Sequence, residues 1–225
     1  MNRLKHIAFI MDGNGRWGIK KRRGRNYGHL KGVEVVQNIV KASISLKIPV
    51  VTFFVFSTEN WKRPKTEINF LFRLINSYFE REIHDVMKNK IKINFLGKFS
   101  NIPKKTIETI KKTIQITKKN KNILVNLAIN YGSKSEIIDS FKKIKKNKLK
   151  ISKKTIENNL YTSNLPDPDI LIRTGGKKRL SNFMLWQLAY AELYFLDKLW
   201  PDFKPQDLIK ILKHFYKTKR NFGGI

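Results

Sequence analysis

Cysteine is absent from the chain. That excludes disulfides, thiolate metal sites and thiol nucleophiles, and it suits a reducing compartment. Acidic residues are scarce: 17 Asp plus Glu stand against 47 Lys plus Arg, a formal charge of +30. Long apolar runs are also missing. The stretch from Ile7 to Met11 ends at Asp12, far short of the roughly 20 residues of a membrane span and too short for a signal-peptide core. A cytoplasmic protein is expected. What the chain does have is 225 residues, 41% apolar and 12% aromatic. That is enough to build a real core and too apolar for a disordered chain.

Of the cations 36 are Lys and 11 are Arg, and the span between Arg81 and Arg173 holds 20 Lys and no Arg. Such a balance invites a polyanion partner. The spread of the lysines nevertheless reads as a solvated basic surface, and no nucleic-acid partner is expected. The arginines differ. Arg16, Arg22, Arg23, Arg25, Arg63, Arg173 and Arg179 stand beside Gly-rich or aromatic motifs. A guanidinium grips phosphate through a rigid two-pronged fork, whereas an ammonium is a mobile point charge. These residues point to small phosphorylated ligands.

Short apolar runs alternate with helix-like stretches. Strands are expected at Ile7–Met11, Val50–Phe56, Ile91–Leu96, Ile123–Ile129, Ile170–Ile172 and Leu193–Phe195. Helices are expected at His29–Leu46, Thr66–Lys88, Pro103–Lys118, Ser135–Lys146, Lys154–Leu160 and Pro205–Tyr216. This alternation predicts an α/β fold: one domain spanning 1–225, with a mostly parallel sheet of about six strands flanked by helices. The helix Thr66–Lys88 carries two apolar stripes, Ile68, Leu71, Ile75, Phe79 and Ile83 beside Phe70, Leu74 and Tyr78. A surface helix needs only one. It is either buried on both sides or lines a cavity or dimer contact.

The first strand runs into Asp12-Gly13-Asn14-Gly15-Arg16-Trp17-Gly18. The glycines fit G-x-G-x-x-G, but the acid that a dinucleotide fold places after its second strand is missing, as is a Walker lysine. Glycine backbone, Arg16, Arg22, Arg23, Arg25 and His29 make an anion site, and Asp12 at its mouth would repel a phosphate. A divalent cation resolves that conflict, because Mg²⁺ is held by one or two carboxylates plus phosphate oxygens. The second strand ends in Ser57-Thr58-Glu59-Asn60-Trp61-Lys62-Arg63, a polar loop able to close over a ligand. The strand ending near Arg173 leads into Gly175, Gly176, Arg179, Leu180 and Ser181, a second anion site. In open α/β sheets all these strand ends share one rim.

Together these stretches closely resemble the cis-prenyltransferase family, its bacterial undecaprenyl diphosphate synthases in particular. The matching segments are His6 to Trp17, Gly28-His29, Phe56 to Pro64, Ile172 to Gly176, Arg179 to Glu192 and Trp200 to Phe203, in family order over nearly the whole chain. The resemblance implies repeated addition of isopentenyl diphosphate to farnesyl diphosphate, forming cis double bonds and releasing diphosphate with Mg²⁺. The product would be undecaprenyl diphosphate, a lipid carrier for cell-wall polysaccharide. It implies that Asp12 holds Mg²⁺ with Glu192 as second contact. Gly13, Asn14, Gly15, Arg16, Trp17, Arg25 and His29 would bind the allylic diphosphate. Arg173, Arg179, Leu180 and Ser181 would bind isopentenyl diphosphate, and Ser57, Thr58, Glu59, Asn60, Trp61 and Arg63 would form the closing loop.

Asn60, assigned in this family as proton acceptor, is a neutral amide and a poor base, so a positioning role is expected for it. The helix Thr66–Lys88 and the strand Val50–Phe56 would line an apolar tunnel. A homodimer, and peripheral membrane contact for product release, are also implied. This sequence departs from the family pattern at Ser133-Lys134, at Lys177-Lys178 and at Asn221, where relatives carry an arginine reaching the partner subunit's site. With Arg220 as an imperfect substitute, activity is expected to be retained but weakened, so Asn221→Arg should raise steady-state turnover.

Overall fold

The computed structural model describes residues 4–220; Asn221 lies outside the described residues. Six strands form one sheet: β1 (His6–Ile10), β2 (Val50–Ser57), β3 (Ile91–Leu96), β4 (Ile123–Tyr131), β5 (Ile170–Arg173) and β6 (Glu192–Phe195). Their order is β3-β4-β2-β1-β5-β6, and every pairing is parallel. The helices are α1 (Asn14–Lys20), α2 (Gly24–Ser45), α3 (Lys65–Lys88), α4 (Lys104–Thr117), α5 (Ser133–Lys146), α6 (Lys153–Glu157) and α7 (Pro205–Lys217), with short 3₁₀ turns at Thr58–Lys62 and Trp200–Asp202. No described helix is long and apolar enough to cross a membrane.

Each expected strand is present, its ends shifted by no more than two residues. Two helical features depart from expectation. The glycine segment after Asp12 is a helix, α1, and α2 begins five residues before His29. Glycine weakens a helix in isolation, but here it lets two helices touch. A Cβ on Gly18 would lie 2.1 Å from the Gly24 carbonyl oxygen, and one on Gly28 would lie 1.8 Å from that of Asn14. The dinucleotide spacing therefore serves helix packing.

Apolar side chains fill both sheet faces. On one, Phe9 stacks on Phe53 at 5.0 Å between centroids, with Trp200 edge-on to both. Trp200 donates from Nε1 to the Gly32 carbonyl at 2.9 Å and from its backbone N–H to that of Asp12 at 3.0 Å, joining α2 to the end of β1. Near the end of β2 the register with β4 shifts around Phe54 and Phe56. This bulge presents Val55 and Phe56 to the same apolar cleft, which simple alternation forbids.

A buried polar chain crosses four strands. His6 Nδ1 meets the Pro166 carbonyl oxygen at 2.7 Å, which can only accept, so Nδ1 carries the proton. Nε2 therefore accepts from the Thr52 hydroxyl at 2.7 Å; Thr52 Oγ1 accepts from Asn126 at 3.0 Å, and Asn126 Oδ1 from Asn94 at 2.9 Å. Burial lowers the His6 pKa to about 4, against the raising effects of Pro166 and Asp169. The unfolded chain thus takes up a proton near pH 6.5 that the fold refuses until about pH 4. Stability falls as pH drops through that window, by about 3 kcal/mol for this group. His6→Gln should flatten the dependence of thermal stability on pH between 6.5 and 4, measured by calorimetry.

Candidate active site

Because the sheet is parallel, the ends of β1, β2 and β5 open on one rim, and Ile10 pairs with Arg173 there. Arg173 is nearly buried, its side chain 3% exposed. Its Nη2 donates to Asp12 Oδ2 at 2.9 Å. Its Nη1 donates to Ser181 Oγ at 2.7 Å and also to the Arg179 carbonyl oxygen. Arg16 donates from Nη2 to Asp12 Oδ1 at 3.1 Å and to the Gly175 carbonyl at 2.8 Å. Both Asp12 oxygens are thus engaged by guanidinium groups, while the carboxylate keeps 30% of its surface open.

Around this pair lies a polar cavity of about 580 Å³, lined by Asp12, Asn14, His29, Ser57, Glu59, Asn60, Arg63, Arg173, Arg179 and Ser181. A smaller recess of about 130 Å³ adjoins it, lined by Gly13, Asn14, Gly15, Arg16, Arg25, His29 and Arg63. Its wall includes the first turn of α1, whose N–H groups have no partner within the helix. Asn60 Oδ1 accepts from the Ser57 N–H at 3.0 Å and caps the 3₁₀ turn.

Arg22 and Arg23 of the first anion site line neither cavity, and of the residues that the resemblance assigns to the site five more lie outside them. Trp17 donates from Nε1 to Asp202 at 2.7 Å and stacks on Tyr27. Trp61 donates to Asn130 at 2.7 Å and packs against Phe56 and Phe72. Thr58 abuts Gly132, and Leu180 joins the core beside Phe183. Glu192, expected as second metal contact, pairs in register with Ile170. It therefore sits about 10 Å below Arg173 along the strands, toward the opposite rim, with Arg220 Nε at 3.7 Å. One chain does not bring it to Asp12.

One residue escaped the sequence reading. Glu67, in the first turn of α3, has a side chain only 8% exposed. It accepts from Arg25 at 2.9 and 3.2 Å and from Arg63 at 3.2 Å, and lies 3.1 Å from His29 Nε2. Burial opposes its charge, yet hydrogen bonds from Arg25 and His29 and the charges of Arg25 and Arg63 hold its pKa at about 2. Burial lowers the His29 pKa, with Glu67 pulling the other way. The i, i+4 spacing of Arg63 and Glu67 was the one signal available.

An apolar cleft of about 120 Å³ lies beneath the recess, lined by Val33 and Val36 of α2, Leu71, Leu74, Ile75, Tyr78 and Phe79 of α3, and Val55, Phe56, Leu127 and Ile129 of the sheet. Met11, Asn14 and His29 line this cleft and both polar cavities. Meanwhile Ile68 and Phe72 on α3 pack into the core with Phe56 and Ile110. Both stripes of α3 contribute to the cleft, Leu71, Ile75 and Phe79 from one and Leu74 and Tyr78 from the other, while Ile68 turns into the core.

Residues 10–223 match the family described as "Putative undecaprenyl diphosphate synthase". The chain is 43% identical to an isoprenyl transferase of Rickettsia bellii, covering 99% of each chain, and 41% identical to one of Halalkalibacterium halodurans, covering 98% of this chain and 89% of the relative. Among solved structures, lavandulyl diphosphate synthase from Lavandula x intermedia, in complex with dimethylallyl diphosphate, superimposes with a TM-score of 0.93 at 31% identity over 98% of both chains. A probable undecaprenyl diphosphate synthase from Campylobacter jejuni gives 0.85 at 37% identity, over 99% of this chain and all of that one. The chain belongs to the undecaprenyl diphosphate synthase family, prenyltransferases that elongate prenyl diphosphates in cis.

Glu67→Gln keeps the side-chain shape but leaves the Arg25 and Arg63 guanidinium groups without their anion and His29 without its carboxylate partner. It should lower the unfolding free energy by about 2 kcal/mol in urea titrations. It should also raise the KM for the allylic diphosphate more than it lowers kcat.

Proposed function

We propose that this chain is a Mg²⁺-dependent enzyme that condenses isopentenyl diphosphate repeatedly onto farnesyl diphosphate, making a polyprenyl diphosphate of undecaprenyl length for cell-wall polysaccharide assembly. A single catalytic domain would work in the cytoplasm as a homodimer, with peripheral membrane contact for product release. The exposed edge strand β6, with Leu193 44% exposed, supports a second copy. The observation that carries the reading is the junction at Met11, Asn14 and His29, where an anion recess opens onto an apolar cleft. A charged head with a long oily tail is the ligand such a junction fits.

In the reaction, Arg25, His29, Arg63 and the α1 first turn would hold the allylic diphosphate. Arg173, Arg179 and Ser181 would hold the diphosphate of isopentenyl diphosphate. The allylic C1–O bond breaks, C1 bonds to C4 of isopentenyl diphosphate, and C2 of the latter loses a proton to the departing diphosphate. Asn60 would orient these groups. The donor set fits a cation that arrives with substrate: Asp12 is one partly open carboxylate facing the cavity, and Mg²⁺ held there would take its other ligands from phosphate oxygens and water. The ion would neutralise charge on the leaving diphosphate. Each CH₂ that enters the cleft contributes about 0.8 kcal/mol.

Chromatographic sizing of products from labelled isopentenyl diphosphate and farnesyl diphosphate should show long-chain material that disappears with chelator. Asp12→Ala should reduce turnover on the order of 100-fold or more while unfolding remains cooperative. Chelator-resistant activity, or no elongation by wild type, would refute the reading.

A further inference from the structure

The segment between β5 and β6 holds three non-glycine residues in the left-handed region: Ser181 at φ 51°, Asn182 at φ 63° and Met184 at φ 46°. Non-glycine residues keep such angles where surrounding contacts over-determine them, and these positions gather at functional sites. At Asn182 the contacts converge. Its backbone carbonyl accepts from the Ser133 N–H at 2.8 Å. Its side-chain Oδ1 accepts from the Lys134 N–H at 2.9 Å, in the first turn of α5. Its Nδ2 donates to Glu59 Oε1 at 2.8 Å, in the turn that follows β2. Hydrogen bonding from Asn182 helps hold the Glu59 carboxyl below its ordinary range, against its partial burial.

The surroundings are shaped for these bonds. A Cβ at position 132 would lie 2.7 Å from Asn182 Nδ2 and 2.6 Å from Thr58 Oγ1, so glycine there leaves room for both. On either side of Asn182 the chain is pinned. Ser181 accepts from Arg173, and Phe183 is fully buried, stacked on Phe54 at 4.4 Å between centroids. Asn182 itself lines the polar cavity.

We infer that Asn182 is a positioning residue for prenyl transfer: through Glu59 it fixes the turn Thr58–Lys62 against the Arg173–Arg179–Ser181 side of the cavity. The inference rests on the function proposed above. Only asparagine meets all the demands. It adopts the left-handed conformation more readily than other non-glycine residues, and its amide both accepts from α5 and donates to a carboxylate. Aspartate keeps the acceptor and loses the donor, whereas glycine keeps the backbone angle and loses both.

The test uses five full-length proteins: wild type, N182G, N182D, E59Q and N182D/E59Q. In wild-type background, N182G and N182D should each lower kcat/KM for isopentenyl diphosphate tenfold or more, N182D because it sets one carboxylate against another. The amide introduced by E59Q offers a donor to the carboxylate introduced by N182D, so adding N182D to E59Q should cost less than threefold. Equal cost in both backgrounds, or losses that merely follow a lowered Tm, would overturn the proposal. Hydrogen exchange of residues 58–62 in the ligand-free proteins gives a readout independent of catalysis. Exchange should quicken in N182G and N182D and slow again in the double variant; unchanged exchange in N182G would overturn the coupling. Wild type that makes no elongated product would refute the proposed reaction instead, leaving the exchange data to judge the coupling.

Discussion

The guanidinium of Arg173 organises the site. It is nearly buried, and a charge removed from water is tolerated only when paired and hydrogen-bonded. Asp12, at the end of β1, supplies the counter-charge; Ser181 and the Arg179 carbonyl supply further acceptors. The segment after β5 must therefore fold back over the strand end, and the turn after β1 must face it. The Asp12 carbonyl is held as well, by Thr174 Oγ1 at 2.8 Å and by the Trp200 N–H. What stabilises these turns also arranges the groups that would meet diphosphate.

A second anchor lies across the cavity. Glu67 gathers Arg25, His29 and Arg63 around the recess and offsets the repulsion between the two guanidinium groups. Held on one carboxylate, they surround an anion site without collapsing into it or swinging away. The two anchors differ in kind. Asp12 is partly open to the cavity, whereas Glu67 is enclosed and structural in its effect.

Much of the fold could be read from the chain because β-branched and aromatic runs bounded by polar turns leave few alternatives, and parallel order follows from alternation with helices. The rim of strand ends, with Asp12, Ser57, Arg63, Arg173 and Ser181, was equally legible. Other features depended on contacts distant in sequence. The heptapeptide of α1 has poor intrinsic helix propensity and becomes helical through its packing on α2. The bulge that turns Val55 and Phe56 toward one cleft depends on register with β4, which no local pattern encodes. A single acid in the first turn of a lysine-bearing helix looks like an ordinary complement to the helix dipole, so Glu67 passed unnoticed. Glu192 stood out by its motif, but a motif does not say which end of a strand it occupies.

Helix α3 bears the carboxylate of Glu67 in its first turn and, along the next three turns, the side chains that wall the cleft. A helix is a stiff rod over such a length, so pressure on its greasy flank is felt at its head. The space between α2 and α3 and the clasp on Arg25, His29 and Arg63 therefore share a single beam, and neither can be placed without placing the other.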